Sequence, residues 1–225
     1  MQDLTIIFLT LNKVPKTWAK YHREKLLEAA GDYPIISLSK KPMDLGTNVI
    51  QTEPEGISNV WWQVLKGAKL ATTKYIAIAD DDTLYPKDHY QWYRPPLDTF
   101  AYNMHKWSLF TFGEPTYSTN GRVGNCTMIA PRELTVEALE ERYTKYPNGT
   151  PPKYSGEMGR EFIEKGLGIT RRKLAYVYSA NPIVCFRHKF AMEHSQRNGR
   201  KRMGIIQAYD IPYWGKSAEL VKKFV

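Results

Sequence analysis

Cysteine is scarce: Cys126 and Cys185 are the two that the chain contains. Such a pair makes no disulfide framework and matches no zinc-binding spacing. Both are expected as reduced core thiols in a cytoplasmic protein. No apolar run approaches the roughly 20 residues that a membrane-spanning helix needs. A secretory leader is not expected, because Asp3 stands where a basic region would be and the first apolar run stops at Asn12. A glycine-rich phosphate loop near the start, which would favour a nucleotidyltransferase, is missing. Internal repeats and low-complexity segments are missing too.

Acidic residues nearly vanish from the last quarter. Residues 171–225 hold 12 Lys+Arg against 3 Asp+Glu, whereas residues 1–170 hold 20 of each. All of the formal charge of +9 therefore lies near the carboxyl end. A basic end on a neutral body suits a polyanionic partner: nucleic acid such as DNA, a phosphate-rich membrane surface, or a substrate diphosphate. Within it, Arg197, Arg200, Lys201 and Arg202 form a basic loop. No helix-turn-helix, zinc-finger or RNA-recognition signature accompanies that charge.

What is present reads as alternating strands and helices. Leu4 to Leu11 is a β-branched, apolar run, read as a first buried strand. A helix follows from Thr17 to Ala30, with Trp18, Tyr21, Leu26, Leu27 and Ala30 on one face, stopped by Gly31. Pro34–Leu38 and Asn48–Gln51 read as strands. A second helix opens at Gly56 and Ser58 and carries Ile57, Val60, Trp61, Val64, Ala68 and Ala71 at helical spacing. It leads into an apolar strand, Tyr75–Ala79. This order predicts an α/β fold with a mostly parallel central sheet flanked by helices. Further on, the aromatic-rich residues 89–121 read chiefly as core. Strands are predicted at Cys126–Ala130, Leu174–Tyr178 and Ile183–Phe186, with helices at Leu134–Tyr143 and in a segment ended by Gly166.

Three carboxylates, Asp80, Asp81 and Asp82, follow the Tyr75–Ala79 strand directly. A buried strand cannot hold three charges internally, so they belong at its carboxyl end, in a solvated crevice where open α/β sheets bind ligands. Charges so close repel unless a cation offsets them. Hard oxygen ligands suit Mg²⁺ or Mn²⁺, which takes one or two carboxylates together with substrate phosphates. An acidic turn without a ligand is the plainer alternative.

Together these segments resemble a GT-A glycosyltransferase, closest to the family 2-like inverting enzymes, over roughly residues 4–190. The resemblance rests on Thr10-Leu-Asn12, Gly56-Ile-Ser-Asn59, the DXD-type stretch Tyr75–Pro86, Gly124–Glu133, Gly156-Glu157 and His188. It implies a Rossmann-like catalytic domain over 1–190, with 191–225 as a basic loop and tail packed on the same domain. It also implies a nucleotide-sugar donor, a UDP-sugar foremost, contacted by Thr10, Asn12 and Asp81, with Asp80 on the ribose. Asp82 and His188 would bind the metal, and Glu157 would be the general base, with Glu161 next in line. Arg200 and Lys201 would close over the donor diphosphate or hold a polyanionic acceptor.

The sequence departs from the family after the second strand, where Ser37-Leu-Ser-Lys-Lys41 replaces an acidic pair, so base recognition is expected to differ. The acceptor stays open between a hydroxymethylated base in DNA and a lipid-linked or cell-surface glycan. A non-catalytic nucleic-acid-binding module is the alternative from another class.

Overall fold

The computed structural model describes residues 2–119, 121–189 and 203–224. The amino-terminal half alternates as expected: β1 (Leu4–Thr10), α1 (Lys16–Ala30), β2 (Ile35–Ser39), β3 (Thr47–Ile50), α2 (Ile57–Leu70) and β4 (Tyr75–Asp80). The chain then continues through β5 (Thr83–Leu84), β6 (Thr99–Asn103), β7 (Lys106–Phe110), β8 (Thr116–Thr119), β9 (Met128–Pro131) and α3 (Arg132–Lys145). Helix α4 (Glu161–Leu167), β10 (Lys173–Val177) and β11 (Ile183–Arg187) follow. Near the carboxyl end come β12 (Ile206–Ala208), β13 (Asp210–Ile211), β14 (Gly215–Lys216) and α5 (Ser217–Val221).

Two sheets organise these strands. The larger has seven strands in the order β10-β6-β9-β4-β1-β2-β3. Strands β3, β2, β1 and β4 run parallel, β9 is reversed, and β6 and β10 are again parallel to each other. The smaller sheet has the order β12-β8-β7-β11-β5. Because β4 belongs to the first sheet and β5 to the second, the chain passes between them at Asp81-Asp82.

Apolar residues on both faces of β1 explain its central place. Ile7 and Leu9 pack under α2 and α3 with Trp61, Val64, Ala68, Leu139 and Tyr143. Leu4, Ile6 and Phe8 point the other way, into a cluster with Leu26, Ala29 and Ala30 of α1. A third cluster joins Trp18, Leu109, Val184 and Phe186 to Leu220, Val221 and Phe224.

Several expectations are revised. Leu27 and Ile57 are 44% and 39% exposed, so neither belongs to its helix's buried face. The α1 face is completed instead by His22, whose ring bonds the Thr83 carbonyl. Residues 126–127 form part of a 3-10 turn rather than a strand. Gly166 lies inside α4, packed beneath the Tyr154 ring, and the left-handed Gly168 ends the helix. The aromatic stretch is mainly core, as Tyr90, Phe100, Tyr102, Phe110 and Tyr117 are buried, while Trp92 and Phe112 are exposed.

Gly67 lets α2 approach β1 closely, for a Cβ there would lie 2.7 Å from Ile7 Cγ2. Gly67→Val should therefore overpack a core without slack and destabilise the protein by about 1–3 kcal/mol. A chemical denaturation curve checks this, through a lower midpoint at unchanged slope.

Candidate active site

The order β4-β1-β2 makes β1 the point where the chain's path across the sheet reverses, and ligands of open α/β sheets bind beyond such strand ends. Thr10 ends β1 and Asp80 ends β4, with Leu9 and Asp80 in register. A cavity of about 360 Å³ opens there and is lined by Thr10, Asp80, Asp81, Asp82, Glu157 and His188 among others.

The backbone of the acidic turn is held from three sides. The Asp80 amide donates to the Tyr85 hydroxyl at 3.0 Å. Trp18 Nε1 donates to the Asp81 carbonyl at 2.7 Å. The Phe186 amide donates to the Asp82 carbonyl at 2.8 Å. The carboxylates take other partners: Asn125 Nδ2 lies 3.2 Å from Asp80 Oδ2, and Thr10 Oγ1 donates to Asp81 Oδ2 at 2.5 Å. Asp82 Oδ2 is 3.4 Å from His188 Nε2, and the His188 ring packs on Phe224.

The crevice is less solvated than the sequence suggested, and the carboxylates are pushed apart in acidity. Burial, then the charges of Asp82 and Asp81, raises Asp80 well above the usual range. Burial and the Asp82 charge raise Asp81 to about 7. Asp82 is desolvated as well, though its side chain keeps 27% exposure, and the hydrogen bond and charge of His188, with Arg187, hold its carboxyl below the ordinary value. An anionic Asp82 beside two crowded carboxyls is a setting that a cation would relieve. Among the described residues no three of His, Cys, Asp and Glu stand close enough to hold an ion by themselves. Asp82 and His188 fit as a two-residue site whose remaining positions fall to substrate oxygens and water, the habit of Mg²⁺ and Mn²⁺.

Glu157 reaches the same cavity on a segment pinned by three elements. Trp61 Nε1 bonds the Ser155 carbonyl, an Arg142 guanidinium N–H bonds the Gly156 carbonyl, and the Tyr102 hydroxyl bonds the Met158 carbonyl. Its Oε2 pairs with Arg160 at 2.9 Å, and the side chain is 17% exposed. Glu161 stands apart, exposed and paired with Arg171 outside the cavity.

Asn12 does not line the cavity. Its φ of 55° and its Oδ1, which accepts the Lys41 amide at 2.8 Å, shape the loops after β1 and β2 instead. The Thr10 hydroxyl is engaged by Asp81, so its link to a donor would pass through that carboxylate. Arg200 and Lys201, with Arg197 and Arg202, lie outside the described residues.

Sequence reasoning missed a row of amides. Gln51 Nε2 bonds the Thr10 carbonyl, Asn59 Nδ2 bonds Gln51 Oε1, and Gln63 Nε2 bonds Asn59 Oδ1. All three are buried and line the cavity. Asn59 and Gln63 sit four apart on α2, a spacing that could have revealed them. Lys106 and Arg187, from neighbouring strands of the smaller sheet, add positive charge to the opposite wall.

No protein-family model matches the sequence, and no curated protein matches it. Among solved structures, a glycosyltransferase involved in the glycosylation of the major capsid of PBCV-1 matches with a TM-score of 0.50 at 11% identity. The match covers 88% of this chain and 98% of that one. The fold is that of the GT-A glycosyltransferases. A mannosyltransferase from Pyrobaculum calidifontis, in complex with GDP-Man and Mn2+, matches at 15% identity with a TM-score of 0.45, over 88% of this chain and 60% of that one. A nucleotidyl transferase from Methanothermobacter thermautotroptrophicus matches at 14% identity with a TM-score of 0.44, over 81% and 89%. No described helix of this GT-A fold is long and apolar enough to cross a membrane.

The raised pKa of Asp81 has a direction that can be tested. Between its ordinary value of 3.8 and about 7, the unfolded chain releases this proton more readily than the folded one. Stability of the metal-free protein should therefore fall as pH rises through that window and level off above it. Asp81→Asn should shallow the fall. Thermal melts in chelator from pH 5 to 8 read the difference, and a steeper fall in the variant would contradict the assignment.

Proposed function

We propose that this chain is a metal-dependent glycosyltransferase that moves a sugar from a nucleotide-sugar donor to an acceptor hydroxyl with inversion. The observation that carries the reading is the meeting of Asp80, Asp81, Asp82, Glu157 and His188 in one cavity at the reversal point of a GT-A sheet. A UDP-sugar is the donor, with Asp80 on its ribose and Asp81 beside the nucleotide. Asp82 and His188 hold Mn²⁺ or Mg²⁺, which when bound offsets negative charge on the leaving diphosphate.

Glu157 takes the proton of the acceptor hydroxyl. The acceptor oxygen then bonds to the anomeric carbon as the bond from that carbon to the phosphate oxygen breaks, releasing the nucleoside diphosphate. Pinning of Ser155, Gly156 and Met158 by Trp61, Arg142 and Tyr102 supports this role, since a base must be held within hydrogen-bond reach of its proton. Arg160 occupies one carboxylate oxygen of Glu157 and orients the group.

The acceptor is polyanionic, with a hydroxymethylated base in DNA as the favoured form. The charge asymmetry of the sequence supports this, as do Lys13, Lys106, Arg122 and Arg187 along the cavity. The domain assignment of 1–190 as catalytic, with 191–225 packed on it, belongs to the same reading, as does a cytoplasmic setting.

Three measurements test it. UDP release from UDP-sugars should require Mn²⁺ or Mg²⁺ and be lost in Asp82→Asn; full activity in EDTA rejects the metal assignment. Glu157→Gln should lower kcat by roughly 10²–10⁴ while donor affinity stays near wild type. A variant within about threefold of wild type would place the base elsewhere. Neutralising Arg200, Lys201 and Arg202 together should flatten the slope of log affinity against log salt on duplex DNA by about two to three units. Weakened UDP-sugar binding with an unchanged DNA slope would assign those residues to the donor, and no DNA binding at low salt would reject the nucleic-acid acceptor.

A further inference from the structure

The two sheets also meet at a pair of thiols that the proposed reaction does not use. Cys126 lies in the 3-10 turn before β9, and Cys185 lies at the centre of β11. They are 59 positions apart in sequence, yet their Sγ atoms are separated by 3.4 Å. Both side chains are buried, at 7% and 4% exposure, and both line the cavity, which gives a small molecule a route to them.

A third group belongs to this cluster. Lys106 on β7 is 8% exposed and lines the same cavity. Ile183 is its partner in register and Cys185 that of Ser108, so Lys106 and Ser108 share a face of β7 two residues apart. A Cβ on Gly124, two residues before Cys126, would lie 2.6 Å from the Lys106 ammonium nitrogen. The ammonium makes no ion pair with a carboxylate among the described residues, and its field falls on both sulfurs. A buried cation without a carboxylate favours negative charge beside it, here a thiolate. The hydrogen bond from Cys126 lowers Cys185, with Lys106 and Arg187 adding to it, while Cys126 is raised.

We propose that Cys126 and Cys185 are a reversible disulfide-forming pair built into the floor of the cavity, oxidised by hydrogen peroxide and restored by a small thiol. The Cys185 thiolate attacks one peroxide oxygen, giving a sulfenic acid and hydroxide. Cys126 then attacks that sulfur, the S–S bond forms, and the sulfenic oxygen leaves as water after taking the Cys126 proton. Two thiols lose two electrons in total and one peroxide becomes two waters. Closure to the disulfide length of about 2.05 Å needs the sulfurs to approach by about 1.4 Å.

That movement acts on the acidic turn from both sides. Asn125, next to Cys126, holds the Asp80 carboxylate, and the Cys126 carbonyl accepts the Tyr85 hydroxyl that in turn receives the Asp80 amide. Cys185 is paired in register with Thr83, the residue after Asp82. Oxidation thus changes the donor site; this coupling, unlike the disulfide itself, rests on the nucleotide-sugar reading.

The test uses the full chain. Wild type is treated with hydrogen peroxide, then alkylated with iodoacetamide in denaturant, before and after a phosphine reductant. The oxidised protein should take up no label and weigh about 2 Da less than the reduced form, and reduction should restore both labels. Cys126→Ser should yield a dimedone-reactive Cys185 and no cross-link. Two labels on peroxide-treated wild type, or a cross-link between two chains, overturns the pairing, and this outcome needs no variant to fold. Oxidised and reduced wild type should differ at least threefold in affinity for UDP with Mn²⁺. Equal affinities overturn the coupling, whereas failure of the reduced protein to bind UDP overturns the donor assignment and leaves the mass result standing.

Discussion

Three hydrogen bonds to the backbone of Asp80, Asp81 and Asp82 carry the site. Each comes from a different element: Trp18 on α1, Tyr85 after β5, and the Phe186 amide on β11. Adjacent carboxylates repel, and a turn bearing three would spread if its main chain were free. Fixing the backbone denies the carboxylates room to separate, while each side chain keeps one further protein partner, Asn125, Thr10 or His188. The cost appears in the raised pKa of Asp80 and Asp81. Perturbed groups of this kind cluster at functional sites, and their presence in a cavity is what lifts an acidic turn above an ordinary surface feature.

The same logic organises the opposite side of the cavity. Glu157 stands on an irregular segment, where a side chain is usually poorly fixed, but Trp61, Arg142 and Tyr102 fasten three carbonyls around it. Arg142 is fully buried, lies over the Trp61 ring and leaves Nε and one terminal nitrogen without hydrogen-bond partners among the described residues. Such a buried cation costs stability, so its bond to the Gly156 carbonyl and its place on the indole face must offset much of that cost.

The parallel half of the fold was legible because its strands are continuous apolar runs and its helices carry a clear stripe. Asp80, Asp81 and Asp82 could be placed at a strand end on charge alone. The meeting of Glu157 and His188 at one cavity could not, since it depends on contacts distant in sequence, such as the bond from Trp61 Nε1 to the Ser155 carbonyl and the approach of His188 to Asp82. Of the smaller sheet the sequence showed β11 at Ile183–Phe186, while its other strands escaped notice because they are short and mix aromatic with polar residues, a pattern that periodicity does not separate from core loops. Asn12 illustrates the reverse error: a polar residue at a strand end looks like a ligand contact, while its left-handed backbone and its bond to Lys41 give it a structural task.

The passage of the chain from β4 to β5 through the acidic turn makes that turn one of the short covalent joints between the two sheets. Sliding of one sheet over the other would strain Asp81-Asp82 directly, because β4 and β5 are tied into different ladders and two residues separate them. A ligand that grips the turn therefore acts as a clamp at this crossing, and by linkage whatever shifts the turn toward opening lowers the ligand's affinity.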